Sequence, residues 1–177
     1  MEIVMRPVVA GHVCLVALFA ASPTFAHVTL EQREAAVNAP YKAVFKVPHG
    51  CGVSPTVKVR VRIPDGVIAV KPMPKPGWQI DVVKAKYGKS YTMFHSITVE
   101  EGVKEVAWSG RLPDENYDEF VLSVYLTGDL AAGQTLYFPV VQECESGVHR
   151  WIEIPEGGKS AADYKEPAPG LKLLPGK

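Results

Sequence analysis

Hydrophobic and polar residues alternate strictly over residues 56–63, which read Thr-Val-Lys-Val-Arg-Val-Arg-Ile. Successive side chains of a β-strand point to opposite faces, so this pattern predicts a strand with one face in a core and the other in water. The next three residues, Pro64-Asp65-Gly66, have the composition of a tight turn. The segment therefore predicts a strand that ends at a turn.

Short β-prone runs of the same kind recur along the chain. They cover residues 43–47, 67–70, 78–83, 91–99, 103–108, 119–126, 136–141 and 149–154, with glycine-containing turns between them. The sequence has no sustained 3.6-residue period of the kind that an amphipathic helix would show. The pattern predicts an all-β fold, an antiparallel two-sheet β-sandwich of the immunoglobulin or fibronectin-III type, with no substantial helix in the mature domain.

The N-terminal segment has the features of a secretory signal peptide. Arg6 supplies a weak positive charge, and the apolar run from Val8 to Ala21 is too short to span a bilayer. Thr24 and Ala26 fit the small-x-small pattern that predicts cleavage just before His27; an uncleaved anchor is the alternative. The expected organisation is a cleaved signal at 1–26, a domain at 27–155 and a flexible C-terminal tail, rich in Gly, Pro, Lys and Ala, at 156–177.

The composition of the exported part limits its function. Removal of residues 1–26 from the 177-residue chain leaves 151 residues, enough for one domain with its own core. The formal net charge is zero, and cleavage removes one acidic and one basic residue, Glu2 and Arg6. A neutral chain lacks the basic field that nucleic-acid binding requires, which argues against that function.

Two cysteines, Cys51 and Cys144, remain after Cys14 leaves with the signal. In an exported protein such a pair forms a disulfide more often than two free thiols. The bond would close a loop of about ninety residues, for which the chain-entropy model gives a stabilisation of about 4 kcal/mol. A thiolate metal site is the alternative, but the paired Cys-x-x-Cys spacing typical of such sites is missing.

The candidate chemistry begins at His27, the expected first residue after cleavage. There it would offer a free α-amine beside its imidazole, and these two nitrogens can close a chelate ring on a metal. Two nitrogen donors in this arrangement suit Cu(II), which takes tetragonal nitrogen and oxygen ligation. The other histidines of the mature sequence, His49, His95 and His149, are each expected to be ordinary surface or hydrogen-bonded residues.

The acids around residues 114–119 are candidates for a further ligand. Asp114, Glu115 and Asp118 surround a turn, and Glu119 begins the strand that follows. Alternation places Glu119 on the face opposite Phe120, beside apolar neighbours, where a carboxylate is costly unless something pairs with it. The alternative is that Glu119 lies at the solvated rim of the sheet.

Several segments of the mature sequence are distinctive. They are HVTLEQREA (27–35), FKVPHGC (45–51), VKPMPKPGW (70–78), WSGRLPDENYDEF (108–120), LYFPVVQEC (136–144) and WIEIP (151–155). Together, and in this order, they resemble the YcnI-like family of exported copper-binding domains. The resemblance implies a β-sandwich that holds one Cu(II) per chain in a mono-histidine brace: the N-terminal amine and imidazole, a glutamate, and a tryptophan beside the metal.

Carried over motif by motif, the resemblance assigns the histidine to His27, the glutamate to Glu119 and the tryptophan to Trp151. Trp151 follows from its place in the stretch Cys-x-x-Gly-x-x-x-Trp, with Trp108 and then Trp78 as alternatives. Without the resemblance, a tryptophan on a sandwich strand is expected to be a core residue. Some relatives carry a C-terminal membrane helix; this sequence shows none, so the resemblance implies a soluble periplasmic protein.

The sequence is compatible with three functions. The leading hypothesis is a periplasmic Cu(II)-binding protein, not an enzyme, that acts in copper buffering, trafficking or delivery as a metallochaperone for other periplasmic or membrane copper-handling proteins. The second is a copper-dependent oxidase or monooxygenase, whose brace would need a second histidine from His49, His95 or His149. The third is a structural or interaction sandwich that binds no metal.

Overall fold

The structure is a computed structural model that describes residues 27–93 and 96–176. Within these ranges the chain forms twelve β-strands and one short 3-10 helix at Ala161–Asp163. The strands are β1 (Thr29–Leu30), β2 (Glu34–Ala36), β3 (Ala39–Val47), β4 (Thr56–Arg62), β5 (Val67–Pro72), β6 (Gln79–Met93), β7 (Ile97–Leu112), β8 (Asp118–Leu126), β9 (Thr135–Tyr137), β10 (Val140–Cys144), β11 (Val148–Trp151) and β12 (Gly170–Leu174).

Two sheets form the sandwich. One has the strand order β1-β3-β8-β5 and the other β11-β10-β4-β7-β6, and all neighbouring strands in both are antiparallel. Alternate residues of each sheet enter a shared core, such as Val59 and Val61 from β4 and Phe120 and Leu122 from β8. The predicted antiparallel all-β sandwich is confirmed, because burial of one face per strand is what the alternating sequence encodes.

A third, smaller sheet contains β2, β12 and β9, with β12 parallel to β2 and antiparallel to β9. Leu171 and Leu173 of β12 are buried in the main core. The expectation of a flexible tail over 156–177 therefore does not hold for Gly170–Leu174. Two leucines in a Gly- and Pro-rich segment are a weak local signal, and the strand is ordered by partners that are distant in sequence.

Three of the predicted runs belong to one long hairpin, which β6 and β7 form. The run predicted at 91–99 spans its turn, since β6 ends at Met93 and β7 begins at Ile97. Ser96, next to β7, has a positive φ of 57°, a backbone conformation that belongs to turns. The runs at 78–83 and 103–108 are parts of the two arms, which pair with each other. β-propensity continues through this turn, so the sequence alone did not reveal it.

The disulfide predicted between Cys51 and Cys144 is confirmed, with 6.0 Å between the Cα atoms. Cys51 lies in the loop after β3, and Cys144 is the last residue of β10. The bond therefore ties the loop that connects the two sheets to a strand of the five-stranded sheet.

The signal peptide predicted at 1–26 lies outside the described residues. In the part of the chain that the structure describes, no helix is long and apolar enough to cross a membrane.

Candidate metal centre

His27 lies two residues before β1, at one end of the sandwich. The two core residues of this segment, Val28 and Leu30, are 1% and 2% exposed and anchor it. The ring centre of His27 is 5.4 Å from that of Trp151, with the ring planes tilted by 53°. Among the described residues the His27 imidazole has no hydrogen-bond or ion-pair partner, so its nitrogens are available to a ligand.

Trp151 is held firmly where it meets His27. It ends β11, is 2% exposed and belongs to the main core. Its indole N–H donates to Oε1 of the buried Gln142 at 3.0 Å. The amide nitrogen of Gln142 in turn donates to Thr56 Oγ1 at 2.8 Å and to the carbonyl of His49 at 2.7 Å. Trp151 is thus both a core residue and a fixed wall beside His27.

The other two tryptophans pack elsewhere. Trp108 is fully buried, with its ring centre 5.4 Å from that of Phe120. Trp78 meets the same phenylalanine ring edge-on at 4.8 Å. Of the three tryptophans, Trp151 is therefore the one whose ring contacts His27.

Glu119 lies on the outer face of the sheet that contains β1. It is directly opposite Lys46 of β3, which in turn is opposite Thr29 of β1. The neighbouring row, Leu30, Phe45 and Phe120, faces the core, as the sequence predicted for Phe120. Glu119 is half-buried, and its carboxylate has no hydrogen-bond or ion-pair partner within the described ranges.

The other acids near the turn already have structural roles or are exposed. Asp118 accepts hydrogen bonds from Lys75 Nζ at 2.5 Å and from the backbone N–H of Glu119 at 2.8 Å. Asp114 accepts from the backbone N–H of Gly50 at 2.8 Å, and Glu115 points into solvent. Glu119 is therefore the acid of this group whose carboxylate is both shielded and unpaired.

Between His27 and Glu119 the structure places a cation that the sequence analysis did not single out. His27, Thr29, Arg33, Lys46, Pro48 and Tyr117 line an open cleft on the outer face. Lys46 adjoins Glu119 across the β3–β8 pair, so its charge is felt at that carboxylate. Alternation in 43–47 shows that Lys46 faces outward, but only the strand register reveals its neighbour.

Two further histidines, His49 and His149, lie near Trp151. The ring of His149 stacks on Trp151 at 4.8 Å, and the rings of His49 and His149 are 6.5 Å apart. Among the residues described, no ring contact joins His27 to another histidine, and no three His, Cys, Asp or Glu side chains form a metal-binding group. His95 lies outside the described residues.

Glu166 fixes the orientation of His149. Its carboxylate lies 2.8 Å from His149 Nδ1 and accepts from the backbone N–H of Arg150 at 3.0 Å. Burial raises the pKa of Glu166, but the hydrogen bonds from His149 and Arg150 outweigh burial and hold the pKa below its usual value. Glu166 is therefore a charged acceptor at neutral pH.

The comparisons with known proteins agree with this architecture. The family described as "Domain of unknown function (DUF1775)" matches residues 27–173, and the chain belongs to it. Similar solved structures include a crystal structure of an uncharacterized protein from Nocardia farcinica, described as having an immunoglobulin-like fold. It has a TM-score of 0.60 and 24% identity over 84% of this chain and 98% of that chain, which supports the fold alone. No curated protein is significantly similar in sequence.

Proposed function

We propose that the mature domain binds one Cu(II) through a mono-histidine brace and serves in copper buffering, trafficking or delivery after export to the periplasm. The amine and imidazole of His27 supply two nitrogen ligands and Glu119 supplies an oxygen ligand. The observation that carries the proposal is the contact between His27 and the buried ring of Trp151. This contact places the histidine at the expected N-terminus of the mature protein beside a buried indole ring, which Gln142 fixes by a hydrogen bond.

The ligand set fits the ion. Cu(II) stands highest among the first-row divalent metals in affinity and accepts a planar set of nitrogen and oxygen donors. The His27 ring and the Glu119 carboxylate both have unused donor atoms within the described residues. They lie at the same end of one sheet, where two strand spacings of about 4.8 Å separate β1 from β8. Long side chains on the outer face can cover that separation.

The contacts favour binding and transfer over oxidation. A two-histidine brace would require another imidazole at the same ion, and among the described residues the ring of Trp151, not a histidine ring, is in contact with His27. The open cleft beside His27 gives a partner protein access to the ion. The partners we propose are copper itself and other periplasmic or membrane copper-handling proteins.

Replacing Glu119 by Gln should weaken Cu(II) binding about tenfold or more, because an amide keeps the size of the side chain but loses the anionic ligand. A competitive titration with a chromophoric chelator measures the change. Glu115→Gln is the matched control, since it removes the same charge from an exposed position four residues away. Equal losses in both variants would mean that only long-range charge matters and that Glu119 is not a ligand.

Replacing Lys46 by Met should strengthen Cu(II) binding by about three- to tenfold, since a cation next to the Glu119 carboxylate repels the ion. Lys42→Met is the control, because Lys42 has the same outward orientation on β3 but lies opposite Ser123. We expect no change for Lys42→Met. A Lys46→Met protein with unaltered affinity would place the ion away from Glu119.

A further inference from the structure

A second pair of imidazoles, His49 and His149, lies at the same end of the sandwich. Their ring centres are 6.5 Å apart and their planes stand at 86°. The side chains are 32% and 27% exposed, so an ion can reach them from solvent. Neither residue belongs to the brace proposed above.

Three anchors set the distance between these histidines. Gln142 of β10 is directly opposite His149 of β11 and donates its amide N–H to the backbone carbonyl of His49 at 2.7 Å. The Cys51–Cys144 bond fastens the His49 loop to the end of β10. The stack on Trp151 fixes the plane of the His149 ring. The pair is therefore held by the fold before any ligand arrives.

The hydrogen bonds also determine which nitrogen is available. His49 Nδ1 lies 2.6 Å from the carbonyl oxygen of Gly50, which can only accept, so Nδ1 carries the proton. His149 Nδ1 faces Glu166 Oε1 at 2.8 Å in the same way. In the neutral rings each Nε2 then carries a lone pair. Metal-binding histidines have this arrangement, with one nitrogen on an oxygen acceptor and the other on the ion.

We propose that His49 and His149 form a two-coordinate site for Cu(I). A metal lies about 2.0 to 2.1 Å from each imidazole nitrogen, so two rings on one ion have centres about 5 to 6.5 Å apart. The observed separation of 6.5 Å lies at the upper end of this range, where the nitrogen–metal–nitrogen angle is widest. The d10 ion Cu(I) accepts this nearly linear arrangement. Cu(II) instead takes four or more donors, and within the described residues no further His, Cys, Asp or Glu completes a group of three.

The site formed by His49 and His149 can be tested in protein that lacks the His27 brace. In mature protein with four alanines added before His27, one equivalent of Ag(I), a redox-inert substitute for Cu(I), should bind. In 15N NMR spectra the Nε2 signals of His49 and His149 should shift while their Nδ1 atoms keep their protons. Shifts confined to other residues, or the absence of binding, would overturn the proposal and leave the function proposed for His27 untouched.

Affinity measurements in the same background locate the ligands. His49→Gln and His149→Gln should each weaken Cu(I) binding at least tenfold in an anaerobic competition with a chromophoric chelator. His95→Gln is the control for histidine content, and an equal loss there would contradict the assignment. Tighter binding of Zn(II) than of Cu(I) to this pair would refute the two-coordinate site. Near-UV circular dichroism shows whether each variant is folded. If a variant does not fold, the NMR experiment, in which both histidines are retained, is the test of the site.

Discussion

Adding four alanines before His27 should lower the affinity of the mature protein for Cu(II) by at least about a hundredfold. The extension keeps every side chain and the net charge but moves the free amine four residues away from His27, too far for the amine and the His27 imidazole to form one chelate. Changes to groups that merely support a metal ligand cost 10–100-fold, and loss of a ligand should cost more. Competitive titration gives the affinity, and EPR of the unmodified protein should show a tetragonal signal with nitrogen couplings.

The control is four alanines added at the C-terminus, which lengthen the chain equally and leave the amine of His27 in place. N-terminal sequencing of periplasmic material should read His-Val-Thr-Leu, because the brace requires that cut. If the N-terminally extended protein bound Cu(II) as tightly as the unmodified one, the brace would be refuted and the ion would belong to an internal histidine. Quenching of Trp151 fluorescence by Cu(II) should disappear together with the affinity.

Replacing both Cys51 and Cys144 by Ala should lower the free energy of unfolding by about 3 to 5 kcal/mol. The two residues are 93 positions apart, and a bond across so long a segment removes much conformational freedom from the unfolded chain. The bond also connects the His49 loop to β10, so its loss should loosen this end of the sandwich. Urea unfolding followed by tryptophan fluorescence measures the change.

Val53→Ala is the matched control, since Val53 lies in the same loop as Cys51 and is 94% exposed. It should change the free energy of unfolding by less than about 0.5 kcal/mol. A loss of under about 1 kcal/mol in the double cysteine variant would contradict the role given to the disulfide.

The sandwich was predictable because its signal is local. Where a strand of the main sheets buries one face, a period of two in the sequence reports both the strand and its orientation, as in β4 and at Phe120 of β8. Strand ends were less predictable where β-prone residues continue through a turn, as between β6 and β7. The strand at Gly170–Leu174 was missed because its order comes from β2 and β9 and not from its own composition.

The candidate site was predictable only in part. His27 stands out because a cleavage pattern precedes it, and Glu119 because alternation turns it away from the core. The contact of His27 with Trp151, the position of Lys46 opposite Glu119 and the pairing of His49 with His149 all depend on register and on packing between sheets. No short window of sequence contains both members of any of these pairs.

By itself the sequence determined the antiparallel all-β class, the outward orientation of Glu119 and the pairing of Cys51 with Cys144. These follow from residue period and cysteine count, which are properties of the chain alone. Only the tertiary structure decided which tryptophan meets His27, which cation adjoins Glu119 and which two imidazoles lie close together near Trp151. These residues become neighbours only when strands that are distant in sequence pair and pack, because the hydrogen-bond register and the core packing fix the relative positions of the strands.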